Sequence, residues 1–271
     1  MSIISFVETK SFYIEKCTFR EPQKTMHCHH AYELYYILEG EREYFIGDTF
    51  FKVSKGDLVW IPANMLHRTD GQGATRMLVY FKPDFIHKYL QQPLTKRLLK
   101  KEAFVFHGDP TTDKQLIFFL NQLLAEYKKL QRTPDESDEL LLAGYLFQLL
   151  FLMYISENSY VQSIPEDNRM SQIIKYINQN YAHISSMEEV ADKFFISKYY
   201  LCRIFKQSIG TSFVSYLNKI RINAACELLS NENLFLSEIA IRCGFNSTPY
   251  FCKVFKDERG ISPSEYRNNS R

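Results

Sequence analysis

Two different periodicities divide the chain into a part built from strands and a part built from helices. Upstream of Pro83, apolar and aromatic residues alternate with polar ones in short runs, separated by turn residues such as Gly40, Gly47 and Gly56. Such alternation places successive side chains on opposite faces of a strand. The pattern predicts strands at 12–17, 32–38, 41–46, 49–53, 57–61 and 76–81. Their close spacing is typical of an antiparallel barrel or sandwich.

Beyond Pro83 the apolar positions recur every three to four residues, which is the period of an amphipathic helix. The pattern predicts short helices between residues 85 and 99, then a longer helix that Thr112 or Asp113 would cap and that runs through Tyr127. A further helix is predicted at 136–156. Its apolar run, 140–155, would span roughly 24 Å, less than the roughly 30 Å of a bilayer's hydrocarbon core. We therefore expect no membrane association.

The helix at 136–156 is apolar on more sides than one stripe requires. A homodimer interface is the sharper interpretation, and burial within the same subunit is the alternative. The residues that follow it are rich in Ser, Asn, Asp and Pro, which is a linker composition. These patterns predict four segments: a strand domain at 1–83, a helical connector and dimerisation segment at 84–157, a linker at 158–168 and a helical domain at 169–271.

The helical domain contains a duplicated unit, because residues 187–216 are echoed by residues 236–266. Glu189-Val190-Ala191 corresponds to Glu238-Ile239-Ala240, and the run from Tyr200 to Lys206 corresponds to the run from Tyr250 to Lys256. Gly210, Ser212 and Tyr216 recur as Gly260, Ser262 and Tyr266. An interval of about 50 residues that occurs only twice indicates two copies of a small helical module rather than a solenoid.

Each copy has the pattern of two short helices joined by a turn of three or four residues. In the first copy Ser186 and Glu189 have capping-box spacing, and Ser197 is placed to cap the second helix. In the second copy Ser247 takes that place. The second helix of each copy has an outward face of cationic and polar residues. This arrangement describes a helix-turn-helix. One such pair also occurs in proteins that never bind DNA, so it is the repetition that favours DNA binding.

Charge and cysteine content are consistent with that interpretation. From Asn168 onward the chain has 14 Lys and Arg residues against 9 Asp and Glu, a net charge of +5, although the whole chain has a net charge of only +2. A mild basic surplus alone is weak evidence for a polyanionic partner. The six cysteines show no CxxC pair, as expected for reduced thiols in the cytoplasm. Residues 1–8 show no signal-peptide pattern.

One segment of the strand domain carries candidate chemistry. On an extended strand, His27, His29 and Glu33 would point to one face, and Cys28 to the other. Together with Gly40, Gly56, Pro62 and His67, this spacing resembles the two motifs of the cupin barrel, although Asn64 stands where Gly is usual and Gly71 where Asn is usual. In metal-binding cupins the residues that match His27, His29, Glu33 and His67 hold a divalent metal, and these donors suit Zn, Fe, Mn or Ni.

A metal-free pocket is the alternative interpretation of the same residues. Regulatory cupins keep a similar pattern in the pocket wall, where the side chains hydrogen-bond an effector or one another. In both cases the barrel interior is the expected binding site, because a small barrel can enclose one small ligand. We therefore expect no obligatory cofactor, with a divalent metal as the open alternative. The candidate effector-binding residues are His27, His29, Glu33, Tyr35, Trp60 and His67; Tyr13 and Tyr44 could also line the pocket.

The duplicated unit resembles the AraC/XylS family of transcription regulators. The resemblance is carried by Glu238-Ile239-Ala240, Gly244-Phe245, Tyr250 to Lys256, Gly260 to Pro263 and Tyr266-Arg267, and it covers about 100 residues. A cupin-like N-terminal domain is also common in that family. The implied fold is an α+β multidomain protein in which a cupin-like barrel with a helical dimerisation segment precedes an all-α tandem helix-turn-helix domain. One departure is Phe195, which replaces the usual Gly in the first turn; a positive φ there would cost about 1 kcal/mol.

The resemblance implies that the protein is a cytoplasmic, nucleoid-associated regulator and not an enzyme. Its implied partners are double-stranded promoter DNA, RNA polymerase, a second copy of the chain and a small-molecule effector such as a sugar, with activation as the sign of control. The family's base-contacting positions fall on Tyr199, Cys202 and Arg203 and on Thr248, Pro249 and Lys253. With the flanking cations, the candidate DNA-binding set is Lys198, Tyr199, Cys202, Arg203, Lys206, Thr248, Pro249, Lys253 and Lys256.

Two rival functions remain at the level of sequence. A metal-dependent cupin enzyme would use His27, His29, Glu33 and His67, but it has no evident use for a duplicated helix-turn-helix. A metal-sensing or redox-sensing regulator would keep the DNA-binding half and change only the signal. Cys28, between His27 and His29, motivates that second rival.

Overall fold

The computed structural model describes residues 10–19, 26–71, 73–99, 102–133, 135–156, 160–161, 169–231 and 233–269. The chain divides into two compact units, one made of Met1–Gln23 and His27–Pro165 and the other of Lys24–Met26 and Glu166–Arg271. Among their described residues, the first contains antiparallel sheets and four helices, and the second contains only helices. The predicted α+β class, with a β-rich first domain and a helical second one, is confirmed.

The first unit contains two antiparallel sheets. Its strands are β1 (Phe12–Phe19), β2 (Tyr32–Glu39), β3 (Glu41–Ile46), β4 (Thr49–Ser54), β5 (Asp57–Ile61), β6 (His67–Asp70), β7 (Ala74–Phe81), β8 (Phe104–His107) and β9 (Tyr160–Val161). The larger sheet has the order β1-β7-β2-β5-β8-β9, and the smaller has the order β4-β3-β6. The six strands expected from the alternating pattern are present with small differences at their ends, whereas β6, β8 and β9 were not expected.

The larger sheet has a different core on each of its faces. One face meets the smaller sheet through residues such as Tyr35, Val59 and Leu78. The other face meets the helices through residues such as Leu34 and Trp60. Because neighbouring residues of a strand point to opposite faces, Trp60 lies away from the inter-sheet core. The expectation that Trp60 lines the barrel interior is therefore wrong.

The described helices of this unit are α1 (Pro83–His87), α2 (Gln92–Leu98), α3 (Pro110–Leu130) and α4 (Glu136–Ile155), and α1, α3 and α4 pack against the outer face of the larger sheet. The cap of α3 is Asp109, whose side chain accepts hydrogen bonds from the backbone N–H groups of Thr111 and Thr112 at 2.9 and 2.8 Å. The cap expected at Thr112 or Asp113 is thus three or four residues too late. Pro110 follows the true cap directly, a favoured position because proline has no N–H to leave unsatisfied.

Helix α4 is buried on one side only. Leu142, Leu146 and Leu149 are inaccessible to solvent, whereas Leu141, Phe151 and Ile155 are 44%, 55% and 60% exposed. By length and composition alone, α4 is the one helix of the described residues that could cross a bilayer, and it is partly buried within the protein. Its apolar content therefore exceeds what the contacts within this chain use.

Two residues of the predicted linker have regular structure. Tyr160 and Val161 form β9, which pairs with β8 in the register Phe106 to Tyr160 and Val105 to Val161. A polar composition had indicated a linker at 158–168, but backbone hydrogen bonding to an existing sheet edge does not depend on a long apolar run. The rest of that segment, 158–159 and 162–168, lies outside the described residues.

The second unit contains seven helices among its described residues: α5 (Arg169–Asn180), α6 (Met187–Lys193), α7 (Lys198–Ile209), α8 (Phe213–Asn231), α9 (Leu236–Arg242), α10 (Thr248–Arg259) and α11 (Pro263–Asn269). The helical period of 213–229 predicts that α8 buries Leu217, Ile220, Ala224, Ala225 and Leu228. Three of these, Ile220, Ala224 and Leu228, are only half-buried. Instead α8 also buries Ile222, Cys226 and Leu229 in the core of the second copy, because it is covered on more than one side.

Candidate nucleic-acid interface and effector site

The first helix-turn-helix consists of α6 and α7. The Ser186 hydroxyl accepts a hydrogen bond from Glu189 N–H at 3.2 Å, and the Glu189 carboxylate accepts one from Ser185 N–H at 2.9 Å. The Ser197 hydroxyl accepts one from Tyr200 N–H at 3.1 Å. The caps at Ser186 and Ser197 agree with the sequence interpretation. Satisfied N–H groups fix where each helix begins, and this sets which residues of α7 face outward.

The outward face of α7 carries the residues expected to contact DNA. Lys198, Tyr199, Cys202, Arg203 and Lys206 are all exposed. Four of them, together with Gln207, line one open groove. Gln207 was not singled out from the sequence, although its place one residue after Lys206 could have indicated it. The structure brings these side chains to one surface, which a base edge or a phosphate could approach.

Two cations on this face have contacts within the unit. The Arg203 guanidinium carbon lies 5.5 Å from the centroid of the Tyr200 ring, a cation–π arrangement that limits its rotamers. Lys198 forms an ion pair with Glu188, and its hydrogen bond holds the pKa of the Glu188 carboxyl below its ordinary value. Lys198 is therefore already neutralised in part, whereas Arg203 is positioned and has no carboxylate contact among the ion pairs of the described residues.

The turn of the first helix-turn-helix, between α6 and α7, contains the strained residue that the sequence suggested. Phe195 has φ of 54°, in the left-handed region, and its side chain is 94% exposed. A non-glycine residue there costs roughly 1–2 kcal/mol. No burial of its ring offsets that cost. The backbone hydrogen bond from Ile196 N–H to Ala191 O, at 3.0 Å, spans the turn.

The second helix-turn-helix, α9 and α10, repeats the plan with a turn that is one residue longer. Ser247 caps α10 by accepting a hydrogen bond from Tyr250 N–H at 3.4 Å, and Pro249 lies in the first turn of the helix, as expected. Lys253, Lys256 and Pro249 are exposed, whereas Thr248 is half-buried. The structure thus places all four expected residues on α10, with Thr248 the least accessible of them.

In the β-rich N-terminal unit, three histidines meet a carboxylate between the two sheets. His29 Nε2 lies 2.7 Å from Glu33 Oε2, and His67 Nε2 lies 3.1 Å from the same oxygen. One ring nitrogen from each of His27, His29 and His67 lies within 4.8 Å of the others. His29, Glu33 and His67 are 3%, 0% and 0% exposed. This group is the set expected from the sequence, although the site roles themselves stay predictions.

The route by which these residues meet differs from the expected one. Residues 27–33 do not form one strand, because His30 and Ala31 make a bend and β2 begins only at Tyr32. His27 instead forms an isolated antiparallel bridge with His67. Asn64, which stands where the cupin motif has Gly, adopts φ of 63°; asparagine is among the non-glycine residues that tolerate this conformation.

Backbone carbonyls fix the tautomers of two of these histidines. His29 Nδ1 lies 2.9 Å from Ala31 O, and His67 Nδ1 lies 2.8 Å from Met65 O. A carbonyl oxygen only accepts, so each Nδ1 carries a hydrogen. A protonated ring then donates from Nε2 to Glu33, whereas a neutral ring presents an Nε2 lone pair that can ligate a metal. The donor set fits a divalent ion of the zinc or iron type.

The charge state of Glu33 is set by its histidine neighbours. Burial opposes ionisation of this carboxyl, but attraction to His67 and hydrogen bonds with His29 and His67 outweigh it, so that the pKa of Glu33 lies well below its ordinary value. A buried carboxylate is stable only when it is paired in this way or bound to a cation. The Glu33 carboxylate is therefore ionised and paired with its histidine neighbours.

Further polar residues that the sequence interpretation passed over face the same core. Arg42 and Arg76 are 1% and 2% exposed, and the Arg76 guanidinium carbon lies 4.2 Å from the centroid of the Tyr35 ring. The Tyr80 ring lies 4.7 Å from the ring of His29. Arg76 and Tyr80 occupy alternate positions on β7, so the period of two, extended to polar residues, could have indicated both. Tyr35 is thus in this interior, while Trp60 is not.

Two family models match the chain. Residues 11–150, more than half of the chain, match the model described as an AraC-like ligand binding domain. Residues 190–269 match a helix-turn-helix domain. The two matches coincide with the unit that contains the histidine group and with the unit that contains α6 to α10.

Known regulatory proteins are similar to part or most of this chain. The regulatory protein PocR of Salmonella typhimurium is 34% identical over 103 residues, which are 38% of this chain and 34% of PocR. The HTH-type transcriptional activator RhaR of Yersinia pseudotuberculosis is 26% identical over 256 residues, 92% of this chain and 87% of RhaR. The chain thus spans about a third of the first relative and most of the second.

Among solved structures, the C-terminal domain of AraT, a response regulator from Geobacillus stearothermophilus, is 37% identical. It covers 36% of this chain and 82% of its own, with a TM-score of 0.35.

Proposed function

The chain belongs to the AraC family of DNA-binding transcription regulators, and from this premise we propose that it activates transcription when a small molecule binds in its N-terminal unit. The observation that carries the proposal is the pair of capped recognition helices, α7 and α10, whose outward faces hold exposed cations. The metal-dependent enzyme has no part in it, because the relatives are transcription regulators.

The two recognition helices enter successive major grooves on one face of promoter DNA, about one helical turn apart. Arg203 reads guanine, because a guanidinium can donate two hydrogen bonds to O6 and N7, and Tyr199 supports it from the same face. Lys253 contacts phosphate or, less rigidly, a base. The first helix-turn-helix therefore supplies more of the base specificity, and the second helix-turn-helix more of the anchoring.

The effector binds between the two sheets of the β-rich N-terminal unit. That interior presents imidazoles, a carboxylate, guanidiniums and tyrosines rather than a purely apolar lining. Convergent polar groups in a buried site suit a ligand with many hydrogen-bonding positions, and a carbohydrate is the leading class. The residues that contact it are His27, His29, Glu33, Tyr35 and His67. Trp60 is not among them, because it lies on the opposite face of the larger sheet.

The protein acts as a cytoplasmic homodimer that contacts RNA polymerase. The exposed apolar side chains of α4, among them Leu141, Phe151 and Ile155, supply the dimer surface. Removal of such side chains from water favours association. The name of RhaR, a transcriptional activator, supports activation as the sign of control.

A direct test begins with operator selection. The full-length protein is incubated with a random-sequence duplex library, and the retained duplexes are sequenced and compared with random DNA in binding assays. The proposal requires a recurrent two-part site bound at least about 1000-fold more tightly than random DNA. Retention of sequences with no common motif would contradict it.

A second experiment tests the effector. A panel of sugars and related metabolites is titrated while the fluorescence of Trp60 is recorded; it is the only tryptophan in the chain. Trp60 lies on the same sheet as Glu33 but on its opposite face, so it reports a shift of the sheet rather than contact. A ligand that changes both this signal and operator affinity supports the proposal. The Tyr35→Phe variant, which lacks one hydroxyl of the proposed site, is compared with the wild type in the same titration.

A metal-responsive regulator is a second candidate, because the histidine group has its donor tautomers fixed by backbone carbonyls. It keeps the DNA-binding half and replaces the organic effector with a divalent cation. Protein purified without a His-tag is analysed for bound metal, with a His29→Ala/His67→Ala double variant as control. Stoichiometric metal that the double variant lacks, with metal-dependent operator affinity, would favour this candidate; absence of both would exclude it.

A further inference from the structure

We propose that a buried contact between the two helix-turn-helix units fixes the spacing at which the protein reads DNA. This contact, called the joint below, is formed by Arg221, Gly244, Phe245 and residues 181–184, and Arg221 is the positioning residue at its centre. The inference rests on the proposed function, since it concerns how two recognition helices meet one duplex. Arg221 lies on α8, the helix that connects the two units. It has no place in the DNA-contacting set.

Arg221 holds the entry segment of the first unit. Its side chain is 9% exposed, and its Nε donates to Tyr181 O at 3.0 Å while Nη2 donates to Ile184 O at 2.7 Å. Both carbonyls belong to the corner between α5 and α6, where the last carbonyls of a helix lack partners in the helix. A planar guanidinium can bond two such acceptors at once, whereas an ammonium is a single point of attachment.

The same side chain also lies against the second unit. The Arg221 guanidinium carbon is 5.7 Å from the centroid of the Phe245 ring. Phe245 is 3% exposed and belongs to the core of the second unit with Ile239 and Phe251. Phe245 lies in the turn between α9 and α10. One buried guanidinium therefore touches the corner that precedes α6 and the turn that precedes α10.

A backbone contact at Gly244 joins the same two places independently. Gly244 has φ of +84°, and a Cβ added there would lie 2.5 Å from Ala182 O and 2.8 Å from Ala182 Cα. Only a residue without a side chain permits this approach. Ala182 lies between Tyr181 and Ile184, whose carbonyls accept the hydrogen bonds of Arg221. Two contacts of different kinds thus converge on residues 181–184.

A joint formed before DNA is bound makes the separation of the recognition helices a property of the protein. Two helices that read successive major grooves on one face require half-sites about 10 bp apart. A preorganised pair binds that spacing without further ordering, but it meets any other spacing with strain. Loosening the joint should therefore weaken binding at the preferred spacing and reduce the penalty at neighbouring spacings. Loss of a simple stabilising contact predicts only the first effect.

The test measures that penalty in the full-length protein. A duplex selected from a random-sequence library by the wild-type protein is compared with derivatives that carry about 1 or 2 bp inserted between the half-sites, each of which rotates the second groove by tens of degrees. For the wild type we expect a loss of at least about 30-fold in affinity on a single insertion; for Arg221→Gln we expect a loss of about threefold, starting from an affinity about tenfold weaker. Arg221→Lys should lie between them.

A matched pair of variants separates the joint from general destabilisation. Gly244→Ala and Gly260→Ala both place alanine at a positive φ, but nothing lies within 4 Å of the methyl added at Gly260. Gly244→Ala should relax the spacing preference as Arg221→Gln does, and Gly260→Ala should keep it. All variants are checked by circular dichroism at the assay temperature, and the two glycine variants decide the outcome if Arg221→Gln does not fold.

An insertion penalty that is the same in Gly244→Ala, Gly260→Ala and the wild type would overturn the proposal. That result differs from a failure of the proposed function, in which the wild-type protein selects no two-part site at all. A single half-site duplex completes the design. Its affinity should be nearly equal in all variants that fold, because the joint does not contact DNA; a loss of half-site affinity equal to the loss on the full site would also contradict the positioning role.

Discussion

The two helix-turn-helix units have one plan and two different surroundings. In both, a serine hydroxyl caps the recognition helix, Ser197 at 3.1 Å and Ser247 at 3.4 Å from the N–H it accepts. In both, a left-handed residue makes the turn. The turn of the first unit is solvent-exposed at Phe195, whereas that of the second lies against Ala182.

That difference explains why the second turn retains glycine and the first does not. At Phe195 the positive φ costs roughly 1–2 kcal/mol, but the side chain points into solvent and meets no obstacle. At Gly244 the same backbone conformation is combined with an approach that leaves no room for a Cβ. Two copies of one motif therefore differ in what their turns pack against.

The largest expected contrast concerns thiol reactivity. Burial, followed by the nearby Cys226 thiol, raises the pKa of Cys243 in the second unit to about 12, whereas Cys202 on α7 is exposed. Because the thiolate is the reactive form, Cys202 should be alkylated by iodoacetamide at pH 8 at least about 100-fold faster than Cys243. Peptide mass spectrometry over time measures both rates.

Bound DNA sharpens that experiment, since selected operator should slow alkylation of Cys202 and leave that of Cys243 unchanged. Comparable rates at the two cysteines would mean that the core of the second unit is open to solvent, which contradicts the burial of Cys243.

The next effect is on stability. Gly244→Ala combines left-handed strain with a forced overlap at Ala182, so we expect it to lower the free energy of unfolding of the second unit by about 3 kcal/mol. Gly260→Ala should cost about 1 kcal/mol, because only the strain remains. Urea unfolding followed by circular dichroism compares them. Equal losses would show that the contact with Ala182 contributes nothing.

Removing the strain in the first unit should have the opposite sign. Phe195→Gly relieves the positive φ without loss of buried contacts, since the ring is 94% exposed. We expect it to raise the free energy of unfolding by about 0.5–1 kcal/mol, after allowance for the greater freedom of glycine in the unfolded chain. Phe195→Ala, which keeps a Cβ, is the matched control and should give little gain. A destabilised glycine variant would reveal contacts of the ring that exposure does not suggest.

The smallest effect distinguishes two lysines of the first recognition helix. Lys206 has no carboxylate among the ion pairs of the described residues, whereas Lys198 is paired with Glu188. Lys206→Ala should therefore lower DNA affinity by about 1 kcal/mol and Lys198→Ala by less than about half of that. In a Glu188→Gln background the difference should shrink. Equal effects in both backgrounds would show that the ion pair does not limit Lys198.

Sequence periodicity was sufficient for the class of each half and for most element positions. The capped helices of the duplicated unit follow from Ser186, Ser197 and Ser247, each of which forms the expected hydrogen bond. The grouping of His27, His29, Glu33 and His67 follows from their spacing, although a bend rather than a strand brings them together. The helix caps and the grouping of the histidines with Glu33 could therefore be predicted from the sequence.

What could not be predicted depends on which neighbour covers a face. Alternation places Trp60 on one side of β5 but does not say whether that side meets the other sheet or the helices. Helix α8 is covered on more than one side, so a single apolar stripe misassigned Ile220 and Leu228. The joint connects residues far apart in the chain, with 40 positions between Arg221 and Tyr181, and no local pattern encodes it.

The division of labour between the two units is tested most directly by one measurement: the affinity ratio between selected operator and random DNA for Arg203→Ala and for Lys253→Ala, each at several salt concentrations. Arg203→Ala should remove about 1–3 kcal/mol of discrimination, whereas Lys253→Ala should weaken binding to both DNAs alike and reduce the salt slope by about 1. The opposite pattern, with discrimination lost in Lys253→Ala and kept in Arg203→Ala, would contradict the account.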